Sequence, residues 1–332
     1  MHFLYTIDRN KFRAPAQQPL QLKDFSIGIL IGAGAFATVK RAVHKESQFT
    51  VALKQYDKRH LSKDNNAQES LHKEILILSQ VDHPNVMGLF EVIDTRMNVN
   101  LVMEMCNGKS LYHYIKKKDS MRLPEDECRI IFRQIVSGIA YLHENNIVHR
   151  DLKLDNILVD PQDGHRVKII DFGFSIKSAA DQKLSLFCGT PHYMDPDISK
   201  KKDYNGHAAD VWAMGVILFI LVTGKLPFFG DFEQDLFRKI QGAKYVFPTS
   251  QQLKDQQNAM GSQRNIRSEE VVVSPECKNV IRKIFQAESS MRVTAKDLLE
   301  DPWVKGVSAY SALSTTVQGG QGISDVSIAS NL

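Results

Sequence analysis

His149-Arg150-Asp151-Leu152-Lys153-Leu154-Asp155-Asn156 is followed by two short apolar runs, Ile157 to Val159 and Val167 to Ile170, and then by Asp171-Phe172-Gly173. The runs flank Asp163-Gly164, a two-residue hairpin signal. Pairing about that turn sets Asn156 opposite Asp171, with Pro161 the residue that works against a regular ladder. A carboxamide and a carboxylate then meet at one end of the hairpin, and hard oxygen donors of this kind suit Mg²⁺. Asp151 is the candidate acceptor of a proton from an attacking hydroxyl. Lys153 is a candidate to neutralise charge on a transferring phosphoryl group. The plain alternatives are a loop ion pair and a solvated Asp-Gly turn.

Upstream, Ile27, Ile29 and Ile31, then Val39, Arg41 and Val43, then Val51 and Leu53 alternate with period two and predict three strands. Gly32, Gly34 and Ala37 lie between the first two. A dinucleotide fingerprint needs a strand, a loop and then a helix, so this glycine loop caps a hairpin and is not a dinucleotide-binding turn. Without Cβ atoms at Gly32 and Gly34, backbone amides can approach phosphate oxygens, and Phe36 can close the tip. In Val51-Ala52-Leu53-Lys54, Ala52 and Lys54 share a face, which leaves room for a flat ring beside a cation. Leu71, Ile75 and Leu78 place a helix over residues 67–81. Glu74 then sits on its polar margin, within reach of Lys54. Phe90 to Ile93 and Val99 to Met103 predict further strands, so a small sheet with one helix precedes Gly108. Beyond it, Cys128, Ile131, Ile135, Ile139 and Leu142 mark a long amphipathic helix, and Ala209 to Val222 a more apolar one.

A length of 332 residues, 43% hydrophobic and 24% charged, fits a folded chain of about two lobes. A formal charge of +4 does not point to nucleic acid or an acidic membrane. Cys106, Cys128, Cys188 and Cys277 are widely spaced, so neither a disulfide framework nor a zinc site is expected, and a reducing, cytoplasmic compartment fits, the nucleus included. Residues 1–13 lack a signal-peptide core, and the apolar run 213–222 falls short of the roughly 20 residues of a membrane span. Residues 249–274 read as a surface insertion and 308–332 as a disordered tail. The Lys116–Lys118 and Lys200–Lys202 runs read as solvated faces that can also attract acidic partners.

Taken in order, these motifs resemble the protein kinase superfamily over residues 25–304. The resemblance implies an α+β, bilobal fold. Its small β-rich N-lobe, 25–105, would carry one long helix, and its larger C-lobe, 106–304, would be mainly helical, with an extension at 1–24 and a tail at 305–332. It implies transfer of the γ-phosphoryl group of Mg-ATP to Ser/Thr hydroxyls of protein substrates, with Asp151, Lys153 and Asn156 catalytic. ATP would be held by Ile31, Gly32, Ala33, Gly34, Ala35, Phe36, Ala37, Thr38, Val39, Ala52, Lys54, Glu74, Glu104, Cys106, Leu158 and Asp171. Asn156 and Asp171 would hold magnesium. Met103 looks like the gatekeeper, and Leu78, Leu89, His149 and Phe172 like the regulatory spine. Asp210-Val211-Trp212-Ala213-Met214-Gly215 resembles the helix whose aspartate supports the catalytic loop.

Lys153 and Gly189-Thr190-Pro191-His192-Tyr193 resemble serine/threonine kinases. Residues 168–175 and Glu91 to Ile93 look most like the calcium/calmodulin-dependent and Snf1-related group. Several positions depart from the family pattern. Ala37 replaces the third glycine, and Asp195-Pro196-Asp197 replaces Ala-Pro-Glu, so Asp197 is expected to pair with Arg292. Leu186 occupies a frequent phosphothreonine position, with Ser185 as the candidate phosphosite for an upstream kinase and Arg150 near it. Ser110 replaces an acidic residue after the hinge, leaving Asp155 to read a basic substrate residue. The competing readings are a pseudokinase scaffold, supported by Ala37, the Asp-Pro-Asp variant and Leu186, and a small-molecule phosphotransferase, disfavoured by the docking segment.

Overall fold

The computed structural model describes residues 20–34, 36–118, 121–249 and 273–306, so Ala35, nearly all of the expected insertion and the expected tail beyond residue 306 lie outside the described residues. The period-two segments form β1 (Phe25–Ala33), β2 (Ala37–His44) and β3 (Thr50–Asp57). A short helix α1 (Lys58–Leu61) and α2 (Asn65–Leu78) follow, then β4 (Leu89–Asp94) and β5 (Asn98–Glu104). The five strands make one antiparallel sheet in the order β1-β2-β3-β5-β4.

Alternation along β3 sorts its side chains as the sequence implies. Val51 and Leu53 pack with Phe25, Ala42, Phe90, Ile93 and Val102 on the outer face, while Ala52 and Tyr56 join the main core beneath α2. Asp64 caps α2 by accepting from the N–H groups of Asn66 and Ala67, and Leu71, Ile75 and Leu78 form its buried stripe. Glu74 does not lie on a polar margin. It is 2% exposed, because α2 turns that face toward β3, where Lys54 and Tyr56 supply polar partners.

The chain then forms β6 (Lys109–Ser110), α3 (Leu111–Lys116), α4 (Glu125–Glu144) and β7 (Ile147–Val148), followed by β8 (Ile157–Asp160) and β9 (Arg166–Ile169). Next come β10 (Ile176–Lys177), β11 (Lys183–Leu184), α5 (Pro196–Ser199), β12 (Tyr204–Asn205), α6 (Gly206–Thr223) and α7 (Glu233–Gln241). After the undescribed segment come α8 (Pro275–Ile284), α9 (Ala295–Glu300) and α10 (Pro302–Lys305). Asn205 caps α6 through the Ala208 N–H, and Gly224 ends it in the left-handed region at φ 71°. At 18 residues α6 is long and apolar enough to cross a bilayer by length and composition, and 89% of it is buried inside the fold. Gly215 lets α8 approach closely: a Cβ there would stand 2.4 Å from Ile284.

The hairpin after the catalytic loop corrects the register read from the sequence. Ile157 pairs with Ile169 and Asp160 with Arg166, one step away from the expected pairing, so residues 161–165 form the connection. Asn156 therefore faces Ile170, whose N–H donates to its carbonyl at 2.9 Å, and Asp171 lies one residue beyond. Pro161 cannot donate to a ladder, and Gly164 and His165 take left-handed φ values of 56° and 58°, so the wider loop is the one this sequence closes.

Candidate active site

Asp210 on α6 organises the segment after β7. Its carboxylate accepts from the N–H groups of His149 at 2.8 Å and Arg150 at 2.9 Å, and His143 Nε2 lies 3.0 Å away. Arg150 is thereby held at φ 67°, a left-handed conformation costly for a residue with a Cβ. Burial alone would raise the pKa of Asp210, but the hydrogen bond and charge of His143, with His149 behind them, hold it below the usual carboxylate range. A depressed folded value stabilises the native state above the unfolded value of about 4, and the benefit is lost as pH falls through the folded value. Asp210→Asn is therefore expected to flatten the acid limb of a stability-against-pH curve measured by urea unfolding. An unchanged limb would show that Asp210 does not contribute this linkage.

Asp151, 6% exposed, gathers donors from three directions. Lys153 Nζ lies 2.6 Å from Oδ2, the Asn156 amide donates at 3.0 Å to the same oxygen, and the Thr190 hydroxyl donates at 3.0 Å to Oδ1. Asn156 Nδ2 also reaches the Asp151 carbonyl at 2.9 Å, which leaves Oδ1 of the amide as the available ligand atom. Lys153 Nζ bridges to Thr190 Oγ1 at 3.3 Å. The sequence pattern places Thr190 only in a docking segment. Its bond to Asp151 spans 39 residues, a separation at which no local pattern signals contact.

The cation on β3 is equally well held. Lys54 Nζ lies 2.7 and 3.0 Å from the two oxygens of Glu74, and the Tyr56 hydroxyl donates to the same carboxylate at 2.5 Å. Burial would lower the Lys54 pKa, but Glu74, Tyr56 and Asp171 more than offset it, so the ammonium is held charged well above its usual range. Burial and then Glu74 push the Tyr56 phenol well up, which keeps it a donor. Asp171 turns out of β9 at φ 67°, so its direction is set by left-handed backbone and not by sheet alternation. Ser70 on α2 donates to the Gly173 carbonyl at 3.1 Å, tying the helix that carries Glu74 to the Asp171 segment. His149 and Phe172 stack edge to face at 5.1 Å, and with Leu78 and Leu89 all four expected spine residues are buried.

The glycine loop joins β1 to β2, with Ala33 opposite Thr38 and Gly32 opposite Val39. Gly34 N–H donates to the Ala37 carbonyl at 2.8 Å, so Ala37 sits in β2 at the foot of the loop, and Ile31 and Phe36 stay exposed. Val39 lies opposite Lys54, and Ala52 opposite Met103. Ala52, Met103 and Cys106 belong to the main core, and Val39 and Leu158 pack against it. Glu104 is fixed from behind: its N–H donates to Gly88 O at 2.9 Å and its side chain meets the buried Lys168 at 2.6 Å.

Arg292 corrects a further expectation. Its guanidinium is fully buried and pairs with Asp195 at 2.5 Å, not with Asp197, whose carboxylate lies 3.8 Å from Lys200. Asp195 precedes α5 and points into the core, and Arg292 stacks on Trp212 4.9 Å from the ring centre. Arg150 Nε donates to the Phe174 carbonyl at 2.6 Å, while Ser185 borders a cavity with Lys201 and Lys202.

The family model described as "Protein kinase domain" matches residues 25–304. Among curated proteins, sperm motility kinases 3A and 3B of Mus musculus are each 37% identical over 274 residues, covering 82% of this chain and 48% of theirs. Sperm motility kinase 2B of Mus musculus is 36% identical over 274 residues, covering 82% and 50%. The chain thus spans about half the length of the curated relatives it matches.

Proposed function

The chain belongs to the protein kinase family, which implies ATP as its substrate, and on that premise we propose that it phosphorylates serine and threonine hydroxyls of proteins. The observation that carries this reading is the Asp151 carboxylate, which touches Lys153, Asn156 and Thr190 together. In the proposed role Asp151 orients the acceptor hydroxyl and takes its proton as the new O–P bond forms and the bond from the γ-phosphorus to the β-phosphate oxygen breaks, ADP being the leaving group. Lys153 lies beside it and offsets charge on the transferred group. Lys54, oriented by Glu74 and Tyr56, binds the α/β-phosphates as a fixed cation. Val39, Ala52 and Leu158 sandwich adenine, backbone groups of Glu104 and Cys106 hydrogen-bond it, and Gly32 and Gly34 let the loop amides approach phosphate.

Asp171 and Asn156 offer the hard oxygen donors that Mg²⁺ takes, and the ion would neutralise charge on the phosphate oxygens. Serine/threonine choice rests on the contact of Lys153 with Thr190 at 3.3 Å. Membership of the calcium/calmodulin-dependent and Snf1-related group, a cytoplasmic or nuclear workplace and an upstream kinase acting on Ser185 are further parts of the proposal. Among the supports of the scaffold reading, the Asp-Pro-Asp variant is weakened by the Asp195–Arg292 pair, while Ala37 and Leu186 stand.

The test is incorporation of labelled phosphate from Mg-ATP into a generic protein substrate and into the chain itself, with Asp171→Asn beside it. Label on serine or threonine that vanishes in the variant is the expected result. ATP-dependent thermal stabilisation with no incorporation by either protein would favour the scaffold.

A further inference from the structure

Between the segment leading to Thr190 and the end of α5 lies a cavity of about 270 Å³, lined by Ser185, Phe187, Ile198, Lys201, Lys202 and Tyr204. Its walls are firmly held. Lys201 N–H donates to Ile198 O at 2.8 Å and Lys202 N–H to Asp197 O at 3.1 Å, while the Tyr204 hydroxyl donates to Leu186 O at 3.2 Å. Phe187 packs edge to face on Phe237 of α7 at 6.5 Å, yet 43% of it is exposed, and Lys201 Nζ stands 5.9 Å from its ring centre.

Lys200 uses its charge on Asp197, but among the described residues neither Lys201 nor Lys202 has a carboxylate within ion-pair distance. On β11, Leu184 pairs with the cavity's Tyr204 of β12, and Asp203 is the acidic residue adjoining in the chain. The cavity thus combines an apolar floor with two cations that have no carboxylate partner among the described residues. Phe187 and Ser185 stand three and five residues before Thr190, whose hydroxyl touches Asp151. An extended chain covers at most about 3.6 Å per residue, so the cavity is within roughly 10–18 Å of the proposed acceptor position.

We propose that this cavity receives an acidic side chain of the protein substrate, three to five residues from the phosphorylated hydroxyl, on Lys201 and Lys202. The inference rests on the protein-phosphorylating reading and names its substrate class: serine or threonine segments flanked on one side by glutamate or aspartate. The carboxylate meets the two ammonium groups while the flanking chain lies on Phe187, and complementary charge of this sort selects one partner over others.

The test uses the full chain and three serine peptides of equal length: one with two glutamates centred four residues after the serine, one with them four residues before, and one with glutamines at both places. One glutamate peptide is expected to show a KM about tenfold lower than the glutamine peptide, the reach of two exposed ion pairs. The double variant Lys201→Glu/Lys202→Glu should abolish that preference while keeping kcat on the glutamine peptide, and Lys201→Arg/Lys202→Arg should retain it. Equal KM values on all peptides, or a preference that survives charge reversal, would overturn the proposal.

Repeating the comparison in Ser185→Ala removes the chain's own competing phosphate site. If the preference is absent from the native chain and appears only in Ser185→Ala, the cavity serves phosphorylated Ser185 and the substrate assignment is wrong. Should no peptide be phosphorylated, the transfer reading fails separately. Anisotropy of the labelled glutamate peptides then decides the cavity: binding that charge reversal removes supports it, and binding indifferent to charge reversal refutes it.

Discussion

Asp151→Asn is expected to lower kcat for peptide phosphorylation by about 10²–10⁴-fold, the range a positioned general base supplies, with the melting temperature and ATP binding little changed. The amide has almost the same shape as the carboxylate, so it can still meet the Thr190 hydroxyl and the Asn156 side chain, which approach Asp151 at 3.0 Å. It cannot accept a proton at neutral pH, and it no longer neutralises the Lys153 ammonium, 2.6 Å from the native oxygen. A buried carboxylate that merely tied the loop together would show the opposite signature: loss of stability in proportion to loss of rate. Single-turnover phosphorylation beside a thermal melt separates the two. A variant that keeps more than about a tenth of the native rate would remove Asp151 from the chemistry.

Much of this arrangement was legible in the sequence because it is carried by short-range pattern. Alternation in β3 put Ala52 and Lys54 on the core side, and Val51 and Leu53 on the other. Helical spacing placed α2 and brought Glu74 within reach of Lys54, though Glu74 is buried and not marginal. What was missed depends on long-range contacts or on backbone that leaves the regular regions. Tyr56 reads as an ordinary strand residue until α2 packs over it and its hydroxyl finds Glu74. The Asp171 side chain is aimed by a left-handed φ that sheet alternation cannot encode. The hairpin register slipped because Asp163-Gly164 is a strong turn signal read in isolation, whereas Pro161 and the left-handed Gly164 and His165 favour the longer connection.

The Asp195–Arg292 pair gives the largest expected effect on stability. The two side chains are 1% and 0% exposed, and they meet at 2.5 Å across 97 residues of chain. Removing one partner leaves an uncompensated charge in the core, which costs about 3–5 kcal/mol in comparable cases. Asp195→Ala is expected to reach that range, since it also removes the α5 cap formed with the Asp197 N–H at 2.7 Å. Arg292 would keep only neutral acceptors, the Ala208 and Gln286 carbonyls, with the Trp212 face beside it. Asp197→Ala removes only a partly exposed pair with Lys200 at 3.8 Å and should cost about 1 kcal/mol or less. Urea unfolding of the two variants ranks them, and a larger loss for Asp197→Ala would mean that Asp197, as the family pattern implies, holds the arginine. Replacing both partners, as Asp195→Ala/Arg292→Met, should cost less than Asp195→Ala alone, because the penalty lies in the stranded charge and not in the missing contact.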